Sequence, residues 1–120
     1  SEENRVIYDT VRQANEAAIR KIRPGVPLME LDLTARNMIA HAGYGPNFTH
    51  RLGHCIGIEV HDAGDVSSIN QDIVKEGMIF SCEPGIYLPD KFGVRIEDTI
   101  YVTEEGCINI TNSPKELIIL

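Results

Sequence analysis

Three of the four histidines in this 120-residue chain fall within twelve residues, as His50, His54 and His61 of the stretch running from His50 to Asp62. Packing does not require such crowding, whereas a neutral imidazole binds divalent metals and carries protons near neutral pH. The four-residue step from His50 to His54 would suit a helical zinc-protease motif, but Gly53 and Gly57 disfavour a helix there. A glycine-flanked His54 entering a strand is instead free to point into a cleft. The plain alternative is a set of loop histidines bonded to backbone.

Two glutamates have unusual settings. Glu83 closes the apolar run Met78 to Glu83 and is followed at once by Pro84-Gly85, which stops the strand. A carboxylate ending a buried strand is costly unless something positive meets it; otherwise it is an exposed strand end beside a turn. Glu97 reads as mid-strand in the run Val94 to Thr103, on a face with Arg95, Thr99 and Tyr101, where an exposed sheet face with an Arg95 neighbour explains it equally well. Together His54, Glu83 and Glu97, from three strands, form a mixed imidazole and carboxylate set suited to Mn, Co, Fe or Zn. By themselves they support one weak site, because a dinuclear hydrolase needs bridging groups to hold its ions about 3.5–4 Å apart. Cys55 beside His54 is not a paired nucleophile, since neighbours on a strand point to opposite faces. Gly43-Tyr44-Gly45-Pro46 is not a phosphate loop, having a proline where amides are needed.

The elements that must position these residues follow from periodicity. Ile7, Val11, Ala14, Ala18 and Ile22 recur at steps of three and four, which predicts an amphipathic helix over residues 3 to 22, ended by Pro24-Gly25-Val26-Pro27. Leu31, Ala35, Met38, Ile39 and Ala42 make a second helix, with Arg36, Asn37 and His41 off its apolar face and Gly43 just past its end. Beyond Tyr44 the pattern changes to strands, with Ile56 to His61, Met78 to Glu83 and Val94 to Thr103 the best candidates. In the last of these Val94, Ile96, Ile100 and Val102 alternate, Asp98 interrupts the apolar face, and Glu104-Glu105-Gly106 turns into Cys107 to Thr111. The fold class is α+β.

Eleven Lys and Arg against 18 Asp and Glu give a formal net charge of −7 with no basic cluster, which excludes nucleic acid as a partner. Three widely spaced cysteines are neither a disulfide framework nor a zinc clamp and read as reduced thiols. The Ser1-Glu2-Glu3-Asn4-Arg5 start is not a signal peptide, so a soluble cytoplasmic protein without membrane contact is expected.

The motifs His50-x-x-Gly53-His54-x-Ile56-Gly57-x-x-Val60-His61-Asp62, Glu76-Gly77-Met78, Cys82-Glu83-Pro84-Gly85-Ile86-Tyr87 and Gly93-Val94-Arg95-Ile96-Glu97-Asp98-Thr99, in this order, resemble the Xaa-Pro peptidases. These are aminopeptidase P and prolidase, of the pita-bread metallopeptidase family. The resemblance covers essentially the whole chain. It implies a curved antiparallel sheet covered by helices, and it matches His54, Glu83 and Glu97 to metal-ligand positions. It also matches Glu83 and His61 to catalytic positions, and His50, His61 and Arg95 to positions that line the substrate cleft. The implied cofactor is a pair of divalent ions, manganese with cobalt or zinc as alternatives, and the implied substrate a peptide or dipeptide with proline in second place. Arg51 and Cys55 depart from the family pattern.

The family also uses two aspartates ahead of the helix matching Val6 to Ile22, and the aspartates present here, Asp32 and Asp62 among them, lie in the wrong elements to replace them. The resemblance therefore implies that residues 1–120 form the C-terminal portion of the catalytic domain, inactive alone and prone to homo-oligomerise through an uncovered sheet edge. Two alternatives are a non-catalytic pita-bread interaction module and a creatinase-like metal-independent hydrolase; the retained His54, Glu83 and Glu97 argue against both.

Overall fold

The structure, a computed structural model, describes residues 1–56, 65–89, 92–111 and 118–119. Two helices come first, α1 (Glu2–Arg20) and α2 (Leu28–His41), then a 3-10 turn (Gly45–Asn47). Short strands follow: β1 (Gly53–His54), β2 (Asp65–Val66), β3 (Ile79–Cys82), β4 (Gly85–Leu88), β5 (Phe92–Arg95), β6 (Asp98–Val102), β7 (Cys107–Asn109) and β8 (Ile118–Ile119). Ile7, Val11, Ala14 and Ala18, the stripe read from the sequence, are fully buried in α1. The helix is capped by the Ser1 hydroxyl, which accepts the Asn4 N–H, and carries Glu2 and Glu3 where its dipole favours negative charge. Gly43, at φ 99°, ends the α2 region in the left-handed conformation that other residues resist. Among the described residues no helix is long and apolar enough to cross a membrane.

Among the described residues every strand pairing is antiparallel: β1 with β2, β3-β6-β7, and β4-β5-β8. β3 and β4 together run alongside β5 and β6 as one long hairpin whose register does not slip. Ile79 faces Tyr101 and Cys82 faces Asp98; beyond a gap, Gly85 faces Arg95 and Leu88 faces Phe92. Glu83-Pro84 on one strand and Ile96-Glu97 on the other fill that gap. The Ile96 N–H donates to the Pro84 carbonyl at 3.2 Å, but proline has no N–H to return, so the rung is half made and the ladder parts into two sheets.

This corrects the single strand expected over Val94 to Thr103. Glu97 is not mid-strand but lies in the break between β5 and β6, caused by a proline on the neighbouring strand. The alternation itself holds: Val94, Ile96, Ile100 and Val102 are fully buried, and Asp98 is buried with them at 1% exposure. The expected strand Ile56 to His61 falls outside the described residues after Ile56, whose N–H donates to the Ile79 carbonyl. The turn at Glu104 to Gly106 forms as read, closed by the Thr103 N–H on the Gly106 carbonyl.

One glycine is dictated by crowding. A Cβ on Gly53 would lie 1.8 Å from the Ser81 carbonyl oxygen, so β1 reaches β3 only because residue 53 has no side chain. Gly53→Ala is expected to cost about 3 kcal/mol or more in urea denaturation, whereas Gly106→Ala, with its nearest neighbour 3.8 Å away, should change stability by less than about 1 kcal/mol. Equal costs at the two positions would contradict the packing described.

Candidate metal centre

Strand alternation divides the hairpin into a core face and a chemical face. Phe80, Cys82, Ile86, Val94, Ile96 and Ile100 join the hydrophobic core with the helices. Ser81, Glu83, Gly85 and Tyr87 take the other face, with Arg95, Glu97 and Thr99 across from them. Because the register continues through the break, Glu83 stands opposite Glu97. The Pro84–Ile96 rung carries the hydrogen bond, so the Glu83–Glu97 rung is of the non-bonded kind, with Cα atoms about 4.5 Å apart and side chains closest. In keeping with this, the Glu83 N–H turns outward and donates to the Leu52 carbonyl at 2.7 Å. Like charges directly opposed on one face repel, and a cation between them removes the repulsion.

Glu83 is the more buried of the two, with a side chain 15% exposed. Its Oε2 lies 3.5 Å from His54 Nδ1 and has no hydrogen-bond partner. His54 is held by Ser81: the Ser81 Oγ accepts the His54 backbone N–H at 3.0 Å and lies 3.2 Å from Nδ1. Ser81 holds the ring on its Nδ1 side, which leaves Nε2 as the nitrogen to meet a cation, as in histidine ligands oriented by a second partner. The Glu97 carboxylate sits 4.0 Å from the Arg95 guanidinium. The fold thus joins His54 to Glu83 and sets Glu97 across from Glu83, but among the described residues no three His, Cys, Asp or Glu side chains converge closely enough to hold a metal. A buried carboxylate oxygen without a hydrogen bond, an adjacent imidazole and a second carboxylate are nonetheless the donor chemistry of a divalent cation.

His50 belongs to a separate relay. Its Nδ1 is 2.7 Å from the Arg51 carbonyl, which only accepts, so Nδ1 bears the hydrogen and the neutral ring accepts at Nε2 from the Tyr87 hydroxyl, 2.6 Å away. The Tyr87 ring folds over Gly85, where a Cβ would be 2.6 Å from the phenol oxygen. The Arg95 guanidinium acts electrostatically on this phenol. His61 lies outside the described residues.

Sequence reasoning missed three supports. Asn15, fully buried in α1, donates from Nδ2 to the Cys82 carbonyl just before Glu83; a polar residue one turn after Val11 on an apolar stripe was the available signal. Ser81 and Tyr87 are each spaced for the chemical face, at even offsets from Glu83, but nothing in the sequence named their partners.

Burial pushes the Tyr87 phenol above its ordinary value of 10, the Arg95 guanidinium opposes the rise and the Glu83 carboxylate adds to it. A raised value in the folded chain means that the proton favours folding below about pH 10 and that this contribution is lost as pH climbs through the folded value. Phenolate absorbance should therefore lose, in Tyr87→Phe, a component that ionises above pH 10; a lost component ionising at or below 10 would contradict the burial.

Comparison with known proteins shows the family and the fold. The model of metallopeptidase family M24 matches residues 1–104. YkvY of Bacillus subtilis is 53% identical over 114 residues, 95% of this chain and 31% of its own length. The prolidase from Pyrococcus horikoshii OT3 superposes with a TM-score of 0.91 at 45% identity, over 98% of this chain and 34% of that one. Aminopeptidase P from E. coli, solved with the inhibitor Pro-Leu, does so with a TM-score of 0.77 at 31% identity, over 93% and 32%. The chain spans about a third of the length of the curated relatives it matches. Helices followed by antiparallel sheets are the pita-bread arrangement, and the chain belongs to metallopeptidase family M24.

Proposed function

We propose that this chain supplies His54, Glu83 and Glu97 to the metal site of a peptidase that cleaves the bond between an N-terminal residue and a following proline. The observation that carries the reading is the Glu83 Oε2, buried without a hydrogen bond, 3.5 Å from His54 Nδ1 and on the rung facing Glu97. Similarity to a prolidase and an aminopeptidase P supports the substrate class. Two divalent ions, manganese with cobalt or zinc as alternatives, would lower the pKa of the attacking water and polarise the scissile carbonyl. Glu83 would take a proton from the attacking water and return it to the leaving proline nitrogen. His50, His61 and Arg95 are assigned to the substrate cleft, and the Arg51 carbonyl, which only accepts, places the His50 hydrogen on Nδ1.

Residues 1–120 are proposed as the C-terminal portion of the catalytic domain, providing three ligands of a larger set, with self-association and a cytoplasmic setting as further parts of the reading. Fragment complementation tests it. Mixed with the part of the Pyrococcus horikoshii prolidase that it does not match, the chain should restore manganese-dependent hydrolysis of Ala-Pro but not of Ala-Ala, and Glu97→Gln should abolish it. Failure to restore activity, or full activity of the 120-residue chain alone, would overturn the proposal. Neutralising one opposed carboxylate should also stabilise the metal-free chain by about 0.5 kcal/mol while removing any rise in melting temperature on adding manganese.

A further inference from the structure

Asp32 is fully buried in α2, and Arg36, one turn later, is the residue it binds. Arg36 Nε donates to Asp32 Oδ1 at 2.8 Å and Nη2 to Oδ2 at 3.2 Å. The same guanidinium donates from Nη1 to the Phe48 carbonyl at 3.1 Å and from Nη2 to the His50 carbonyl at 2.9 Å, and sits 4.2 Å from the centre of the Phe48 ring. Asp32 Oδ2 also accepts the Leu52 N–H at 2.9 Å. Three backbone groups of the irregular segment between the 3-10 turn and β1 are thus fixed by one ion pair on a rigid helix.

That segment is the approach to the metal centre. It carries His50, whose ring partner is Tyr87, and it delivers the chain through Leu52 and Gly53 to His54. Leu52, held at its N–H by Asp32, accepts the Glu83 N–H at its carbonyl. The pair therefore reaches both His54 and Glu83 through one residue, without touching either side chain. A planar guanidinium can serve a carboxylate and two carbonyls at once because its donors point in fixed, separate directions; an ammonium cannot.

We propose that Asp32 and Arg36 are positioning residues that set the tautomer of His50 and the aim of His54 toward Glu83. The inference rests on the metal reading above for its consequence, but not for its geometry. The test compares the wild-type chain with Arg36→Lys and with Arg12→Lys, which alters a half-buried ion pair on α1. Nitrogen-15 spectra of the imidazoles report the His50 tautomer, and calorimetric titration with Co2+ alone reports the site. Arg36→Lys should fold, shift His50 from a single Nδ1–H form toward an average of both tautomers, and weaken Co2+ binding about tenfold or more; Arg12→Lys should do neither. Lower stability in Arg36→Lys with His50 signals and Co2+ affinity unchanged would make the pair merely structural and overturn the proposal. If wild type binds no Co2+, the metal reading fails while the His50 signals still decide the positioning role. Should Arg36→Lys not fold, hydrogen exchange of the wild-type Leu52 amide decides: protection like that of the Glu83 amide supports the proposal, and exchange at an open-loop rate overturns it.

Discussion

The rest of the structure depends on a repulsion. Two carboxylates, Glu83 and Glu97, occupy one non-bonded rung of an antiparallel hairpin, the arrangement that brings side chains closest and that sheets otherwise avoid. The hairpin tolerates it because hydrophobic burial offsets the electrostatic cost: the opposite face buries Phe80, Cys82, Ile96 and Ile100, and sliding one strand by a residue would turn its buried side chains to solvent. Pro84 then loosens the ladder at this point by withholding one hydrogen bond. The break is therefore where the hairpin is most open to a ligand and most in need of positive charge.

Space around the rung comes from missing side chains. Gly53 lets β1 approach β3 closely enough for Ser81 to hold His54 from two sides, and Gly85 lets the Tyr87 phenol fold back toward Arg95 and His50. Behind the rung, Asn15 fastens α1 to the Cys82 carbonyl and the Asp32–Arg36 pair fastens α2 to the segment ahead of His54. Each helix thus touches the backbone beside a proposed ligand, and neither supplies a ligand itself. Stability and chemistry use opposite faces of the same strands.

Much of this was legible in the sequence. Three-and-four spacing placed both helices, alternation placed the buried residues of the hairpin, and His54 with two exceptional glutamates marked the candidate site. Contacts between residues distant in sequence were not legible. Glu97 read as mid-strand because the proline that interrupts its strand lies on the partner, thirteen residues earlier. Arg36 read only as a residue off the apolar face because periodicity says which side of α2 it occupies but not that the chain folds back across that side, 12 to 16 residues later, to be held there. The His50–Tyr87 bond spans 37 residues, and no local pattern encodes it.

The most direct measurement is a titration of the nitrogen-15-labelled chain with Mn2+, following paramagnetic loss of amide signals. A cation held by the opposed glutamates and His54 should erase first the amides of Gly53, His54, Glu83, Gly85, Glu97 and Asp98, and should leave Glu2, Glu3, Glu104 and Glu105 sharp at the same metal concentration. Broadening that begins at those exposed acidic turns, or that spreads evenly over the negatively charged surface, would contradict a cation site at the broken rung.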